Sequence, residues 1–491
     1  MSEREVKLLV SESFVLPVLD DAVRGATLGE PEHLLIDDAY HDTADLRLAR
    51  WGCTLRHRGG EGWTLKLPRR STGSMLDREE VTWRGEPDAP PVRARTAVAS
   101  LTLGAELGEV ARLRTERSVR RWWTDAGDPL AELCDDHVSG TGPTGDAVRF
   151  REIEVELAPD APLATIDGVL ERLEAGTVPG RPVPKLVRVL GAAATGPPDV
   201  APDPLPERPT AREVIRRALM SSVAQLLLQL PVARLDTDPE GVHQARVAIR
   251  RIRSDLTTFG RLLDDDWRAE LDDELEWLID ELGAVRDGDV LGARLRDLLA
   301  SRPEIDDDGG RSVLDEIERR RRAARTRLLR DLRGKRSTAL LDHLVQAAAD
   351  PRTTPRADRP ASEEMPKLVR RRWRRLVRAV EAAGADPAPE DLHAVRIQAK
   401  KVRYASESVA PAVGRRAKRF ARRAARIQDE LGDLHDRAVA RDVLAELASE
   451  LDGRAAFAAG QLAQQLLCEV EASDVWRRSF DAMSRRTDWF S

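Results

Sequence analysis

The chain has 491 residues, with 79 Lys and Arg against 85 Asp and Glu, for a net charge of −6. This balance excludes a uniformly basic nucleic-acid-coating protein and puts the weight on local charge patches, while the length suits two or three domains. Cys53, Cys134 and Cys468 are scattered, form no CxxC pair and suggest no disulfide framework, which fits a reducing, cytoplasmic compartment. The charged start MSEREVKLLVSE does not read as a signal peptide. The longest apolar window, near Leu219–Leu230, reads as too short and too polar to span a bilayer.

Residues 1–195 carry short alternating runs. EREVKLLV, GCTLRHR, GWTLKLP, REEVTW, RSVRRWW and REIEVEL predict strands of about five to eight residues. Their polar faces are unusually charged. By period-two alternation Glu3, Glu5 and Lys7 share a face, as do Glu152, Glu154 and Glu156 opposite Ile153, Val155 and Leu157. Arg56 and Arg58 form another such pair, and Lys66 stands beside Trp63, Leu65 and Leu67. An ordinary sandwich would turn these charges to solvent. The alternative is a closed barrel with a charged lumen and an apolar outer face covered by helices. Three glutamates in register cannot all stay ionised at close range without a cation. Hard divalent cations take carboxylate oxygens, so Glu3, Glu5, Glu152, Glu154 and Glu156 are the expected metal ligands. Basic groups plus a carboxylate-held metal equip a site for phosphoryl chemistry. The sequence has no P-loop, so side chains would hold the phosphates.

These segments resemble the CYTH family, the triphosphate tunnel metalloenzymes. Glu3, Glu5 and Lys7 stand as its ExExK signature, and YHDTADLRLARWGCTLRHR supplies Tyr40, Asp42, Arg56 and Arg58. WTLKLP supplies Lys66, DREEV supplies Arg78 and Glu80, TERS supplies Arg117, AELCDDHV supplies Asp136 and PKLVRVLG supplies Lys185. Pro184 stands where related chains place Ser. The resemblance implies Glu3, Glu5, Glu80 and Asp136 as catalytic residues. It implies Lys7, Arg56, Arg58, Lys66, Arg78, Arg117 and Lys185 as substrate-binding residues, with Mg²⁺ or Mn²⁺ as cofactor. Inorganic triphosphatase, thiamine triphosphatase and adenylyl cyclase are among the activities it brings.

Residues 196–210 are Pro-rich and read as a linker. Beyond them long helices are predicted, with breaks at PVARLDTDPEG, RPEIDDDGG, DPRTTPRADRP and GADPAPE. The helical part repeats internally. VHQARVAIRRIRSDL recurs as LHAVRIQAKKVRYAS, placing His393 150 residues after His243. WLIDELGAVRDGDV recurs as RIQDELGDLHDRAV at an offset of 149. Two motifs in the same order predict a duplicated unit, most simply a pseudo-two-fold pair of helical bundles. In helical projection His243, Arg246, Arg250 and Arg253 form one stripe, and His393, Arg396, Lys400 and Arg403 repeat it. Between Asp391 and Arg426 there are 11 Lys and Arg and 2 Asp and Glu, so a polyanionic partner is expected. Aromatic platforms for single-stranded nucleic acid are few near the stripes, chiefly Tyr404 and Phe259, which disfavours nucleic acid.

This half resembles the CHAD domain, over roughly 211–485. The family is associated with inorganic polyphosphate, and the resemblance picks out His243, Arg246, Arg250, Arg251, Arg253, His393, Arg396, Lys400, Lys401 and Arg403. His435 stands where the first copy has Arg286. The expected fold is α+β multidomain: an antiparallel β-barrel tunnel with covering helices over 1–195, a linker, and an all-α module of two pseudo-two-fold-related bundles over 211–485. The expected function is metal-dependent hydrolysis of inorganic triphosphate or short polyphosphate, with long-chain polyphosphate bound by the helices and no membrane partner. The alternative is a non-catalytic polyphosphate-binding or granule-associated protein.

Overall fold

The computed structural model describes residues 2–68, 76–143, 145–158, 161–174, 176–177, 183–302, 307–451, 453–468 and 475–490. They fall into two compact units, Met1–Asp199 and Val200–Ser491.

The first unit is built on nine strands: β1 (Ser2–Val10), β2 (Ala26–Leu28), β3 (Glu32–Asp42), β4 (Thr54–Arg58), β5 (Gly62–Pro68), β6 (Leu76–Trp83), β7 (Gly108–Thr124), β8 (Pro129–Thr141) and β9 (Ala147–Leu157). Their order is β3-β4-β5-β6-β1-β9-β8, and β7 pairs with both β8 and β3, so eight strands close into a ring. Every pairing is antiparallel. Short β2 continues along the far end of β7. RSVRRWW is one part of the 17-residue β7. Strands β3 and β8 carry DD pairs that look like loop in isolation, yet alternation turns one acid of each pair to each side.

Closure explains the two-sided burial of β9. Ile153, Val155 and Leu157 face outward into an apolar cluster with Val6, Leu133 and Trp122. Ile166, Val169 and Leu173 cover this cluster, the last two from α3 (Asp167–Glu174). Full burial of each such side chain stabilises by about 1.5–3 kcal/mol. Glu152, Glu154 and Glu156 face inward, with Glu152 at 0% and Glu154 at 2% exposure.

Two shorter helices, α1 (Arg47–Arg50) and α2 (Val92–Thr102), lie between strands. A further helix, α4 (Lys185–Leu190), fills one end of the lumen. Its Leu186 and Val189 pack on Tyr40, Ala111, Leu113 and Val138, and Ala111 and Leu113 share the face of β7 that carries Thr115 and Arg117. The close approach depends on Gly140, since a Cβ there would meet Val189 at 2.6 Å.

The second unit is helical: α5 (Ala211–Leu235), α6 (Pro239–Phe259), α7 (Asp265–Ser301), α8 (Asp307–Asp331), α9 (Lys335–Ala349), α10 (Ala361–Ala382), α11 (Pro389–Val413), α12 (Arg415–Glu430), α13 (Gly432–Glu450), α14 (Gly453–Cys468) and α15 (Val475–Ser484). Thr210 caps α5 through a capping box with Glu213. Helix α5 runs through Pro231 to Leu235 rather than breaking at that proline. Leu230, Pro231 and Ala233 are all buried, and their packing outweighs the one backbone hydrogen bond that proline removes. At 25 residues α5 is also long and apolar enough to cross a bilayer, contrary to the reading of its central window. Within the unit 67% of its most apolar window is buried, the environment of a core helix.

The duplication is visible at the seam between the two bundles. Ala211 N–H donates to Arg359 O at 2.9 Å, and Ala361 N–H donates to Pro209 O at 2.8 Å. Each partner stands 150 residues from its counterpart, so the contact is reciprocal, as a pseudo-two-fold requires. The copies differ elsewhere: α7 is one 37-residue helix, whereas its counterpart breaks at Leu431 into α12 and α13.

Candidate active site

The lumen holds a cavity of about 260 Å³, smaller than the roughly 300–1,000 Å³ usual for drug-sized ligands. Seven Lys and Arg and six Asp and Glu line it. Strand order sorts them in part, with Asp38, Glu61 and Glu80 standing among the bases and Lys7, Arg117 and Lys185 among the acids. Arg56 and Arg58 on β4, Lys66 on β5 and Arg78 on β6 form a basic wall. Glu5 on β1 with Glu154 and Glu156 on β9 form an acidic one.

On the acidic wall β1 and β9 set Glu5 opposite Glu156 and Lys7 opposite Glu154. Carboxylate oxygens of Glu5, Glu154 and Glu156 all lie within 4.8 Å of one another, and those of Asp136, Glu152 and Glu154 do the same. The oxygen-only donor set of the first group suits a hard divalent cation. The expected ligands therefore divide. Glu5, Glu154 and Glu156 converge at the cavity, whereas Glu152 lies behind it with Asp136. The side chain of Glu3 lies outside the described residues.

Lys185 ties the two groups together. Its Nζ lies 2.8 Å from Asp136, 2.9 Å from Glu152 and 2.8 Å from Glu154. Pro184, at the N-cap of α4, leaves Lys185 as the first helical residue, aimed into the lumen. Lys7 pairs with Glu154 and lies 3.1 Å from Glu5. Arg117 forks onto Asp136 at 2.8 and 2.7 Å and reaches Glu154 at 2.6 Å. Burial alone would push the Lys7 and Lys185 ammoniums toward neutrality, but Glu154 and its neighbours reverse this and raise both. Burial also pushes the Glu154 carboxyl up, and Lys185, Lys7 and Arg117 overcome it and hold that carboxyl well below its ordinary range. Glu152 goes the other way. Its burial and the charge on Glu154 raise it despite Lys185, as when adjacent carboxylates share one counter-ion.

The basic wall is braced by Asp38, which the motifs did not identify. It accepts from Arg58 Nε at 2.8 Å and Nη2 at 3.0 Å, and from Arg56 Nη1 at 3.1 Å. Burial pushes its carboxyl up, and the two guanidiniums more than offset this. The signal was present: Asp38 shares a face of β3 with Tyr40, and both line the cavity. Glu80 lies 3.5 Å from Lys66. Arg78 lines the cavity from β6. Asp136, expected to be catalytic, is fully buried and not among the cavity's described lining; it holds Arg117 and Lys185. Asp42 faces the backbone instead of the lumen, accepting from the N–H groups of Thr43, Leu48 and Ala49 at 2.6–2.9 Å.

In the second unit α6 and α11 pack together. Arg251 pairs with Glu407, and Ser408 donates to buried Asp255. The stripes only partly merge. Arg250 and Lys400 feel each other and the charges of Arg246 and Arg396. Burial, with this crowding second, lowers Lys400 to about 7. Burial and then Arg286 lower His243. The remaining cations are diverted. Arg246 also reaches Asp287 at 2.9 Å, Arg253 reaches Asp272 at 2.7 Å, and Arg403 reaches Glu407 at 3.0 Å. Lys401 faces Arg372 and Arg375 of α10. His393 is part-buried on α11. The side chain of His435 lies outside the described residues.

Residues 1–172 match the CYTH domain and residues 217–445 match the CHAD domain. Two uncharacterized proteins of Mycobacterium tuberculosis, from strains H37Rv and CDC 1551, are each 33% identical over 520 residues, spanning 99% of this chain and 96% of theirs. Among solved structures, PptA from Streptomyces chartreusis is similar at 23% identity and TM-score 0.46, covering 56% of this chain and 99% of its own. The CHAD domain from the plant Ricinus communis is similar at 26% identity and TM-score 0.48, covering 58% of this chain and 96% of its own. A charged, carboxylate-bearing barrel and a duplicated helical module therefore stand in one chain that belongs to the CYTH–CHAD family, whose barrel is of the metal-dependent triphosphate tunnel type.

Proposed function

We propose that the barrel hydrolyses inorganic triphosphate or short polyphosphate, using Mg²⁺ or Mn²⁺, and that the helical module binds longer polyphosphate. The observation that carries this reading is a closed cavity in which Arg56, Arg58, Lys66 and Arg78 line β4 to β6 while the carboxylates of Glu5, Glu154 and Glu156 converge on β1 and β9, with Lys7, Arg117 and Lys185 among them. A chain of phosphates needs fixed cations along its length, and Arg56, Arg58, Lys66 and Arg78 supply them. Asp38 and Asp136 fix the Arg58 and Arg117 guanidiniums before substrate arrives, so little reorganisation is left for the reaction. Glu5, Glu154 and Glu156 would hold the cation, which supplies charge neutralisation and polarises the phosphorus centre. Phosphoryl transfer asks little covalent chemistry of the protein beyond such positioning. Lys7 and Lys185, held protonated by their carboxylates, add fixed positive charge beside the reacting phosphate.

Tyr40 is the one aromatic among the described lining residues, so a base or thiazolium ring has little to stack on. This favours an inorganic chain over a nucleotide or thiamine triphosphate. The test is phosphate release by the full chain from inorganic triphosphate, ATP and thiamine triphosphate. The expected result is a kcat/KM for inorganic triphosphate at least about tenfold above either organic substrate. Equal values would defeat the inorganic reading. For the helices, titration with long-chain polyphosphate and with single-stranded DNA of similar charge should favour polyphosphate and weaken steeply with salt.

A further inference from the structure

The repeat that relates the two bundles inverts the charge of one exposed stripe. On α7, Asp266, Glu270 and Asp273 are exposed at i, i+4 and i+7, one face of the helix. The Asp-Glu-Leu-Gly repeat aligns α7 with α12 at an offset of 149. That offset places Arg415, Arg419 and Arg422 at the same three positions, all exposed. The next position down the stripe holds Trp277 on α7 and Arg426 on α12. None of the six charged groups forms an ion pair with another described residue. Each stripe thus carries uncompensated like charge, although most neighbouring acids of α7 are paired: Asp265 with Arg268, Asp272 with Arg253 and Glu274 with Arg336.

A basic stripe alone would fit any polyanion. An acidic stripe would repel one. Residue-for-residue complementarity at equivalent places of two related bundles fits a different occupant. We propose that a second copy of this chain docks here, with α7 of each copy against α12 of the other. Such a contact is isologous: it is made twice about one two-fold axis and leaves neither stripe open. It would rest on exposed charge and so depend on ionic strength.

Sedimentation velocity of the full chain, washed free of polyanion at high salt, tests this. At tens of micromolar protein the chain should sediment as a dimer in about 50 mM salt and as a monomer in about 500 mM, where screening is severe. The triple variant Asp266→Arg/Glu270→Arg/Asp273→Arg should weaken dimerisation at least about tenfold, and so should Arg415→Glu/Arg419→Glu/Arg422→Glu, because each then opposes like charges. Mixed in equal amounts, the two variants should recover the dimer, since every contact is again between opposite charges. Circular dichroism and thermal unfolding confirm that each variant is folded, and the salt dependence of the wild type stands without them. A wild type monomeric at low salt, variants that still dimerise alone, or folded variants that do not associate on mixing would each overturn the proposal. A monomeric wild type that loses polyphosphate binding only in the arginine variant would assign the α12 stripe to polyanions instead.

Discussion

Glu154, itself buried, touches Lys7, Arg117 and Lys185, so its charge both orders three cations and contributes to the proposed metal site. Glu154→Gln keeps the shape and removes the charge. Turnover should fall by about a hundredfold or more, on the scale of losing one preorganised electrostatic group, while circular dichroism still reports a folded barrel. Full metal-dependent turnover would remove this residue from the account. On the opposite wall, Arg58 donates to Asp38 and lines the cavity. Charge-assisted hydrogen bonds contribute roughly 1.5–3 kcal/mol each, so Arg58→Ala should cost about tenfold or more in kcat/KM for triphosphate. An unchanged value would mean that the guanidinium does not meet substrate. The inward positions of β1, β4, β5 and β9 were legible because alternation assigns faces without any neighbour being known. The division of the carboxylates was not. Whether Glu152 sides with Glu5 or with Asp136 depends on β8 and on Lys185 from α4, elements remote in sequence from β9.

Among the elements, the α6–α11 contact contains a titrating switch in stability. Asp255 is wholly buried, and burial raises its carboxyl to about 7 in spite of bonds from Ser408 and Ser222. The folded state therefore binds this proton more tightly than the unfolded chain, where the carboxyl titrates near the ordinary ~3.9. The stabilisation is complete below about pH 4 and is lost as pH rises toward 7. Asp255→Asn should flatten the pH dependence of thermal unfolding between about pH 4 and 7; a profile equal to wild type would contradict it. Lys400, lowered to about 7, is mostly neutral at pH 8. A polyanion settling against it would restore the charge. Polyphosphate binding at pH 8 should therefore take up protons, seen calorimetrically as a dependence on buffer ionisation enthalpy, and Lys400→Met should reduce that uptake. Equal uptake would place the chain elsewhere. Helical projection made the basic stripes legible. It could not show that Asp287 and Asp272 of α7 draw Arg246 and Arg253 aside, because a helical wheel contains one helix.

For the whole molecule, the two-module organisation is written in composition: alternating short runs, a proline-rich stretch, then long amphipathic helices with a repeat. Ring closure is not written there. It depends on β7 pairing with both β3 and β8, and on α4 filling one end, so an acid-rich segment such as β3 becomes an interior strand only once the barrel exists. That enclosure lets six acids and seven bases share about 260 Å³, and it gives the central claim its sharpest test. Phosphate release from inorganic triphosphate should be measured for the full chain with metal removed by chelator, then with Mg²⁺ or Mn²⁺ added back, beside Glu5→Gln and Glu156→Gln. The account predicts turnover that vanishes with chelation, returns with the divalent ion, and requires far higher metal in either variant. Release that persists under chelation, or a metal requirement in both variants equal to that of the wild type, would contradict it.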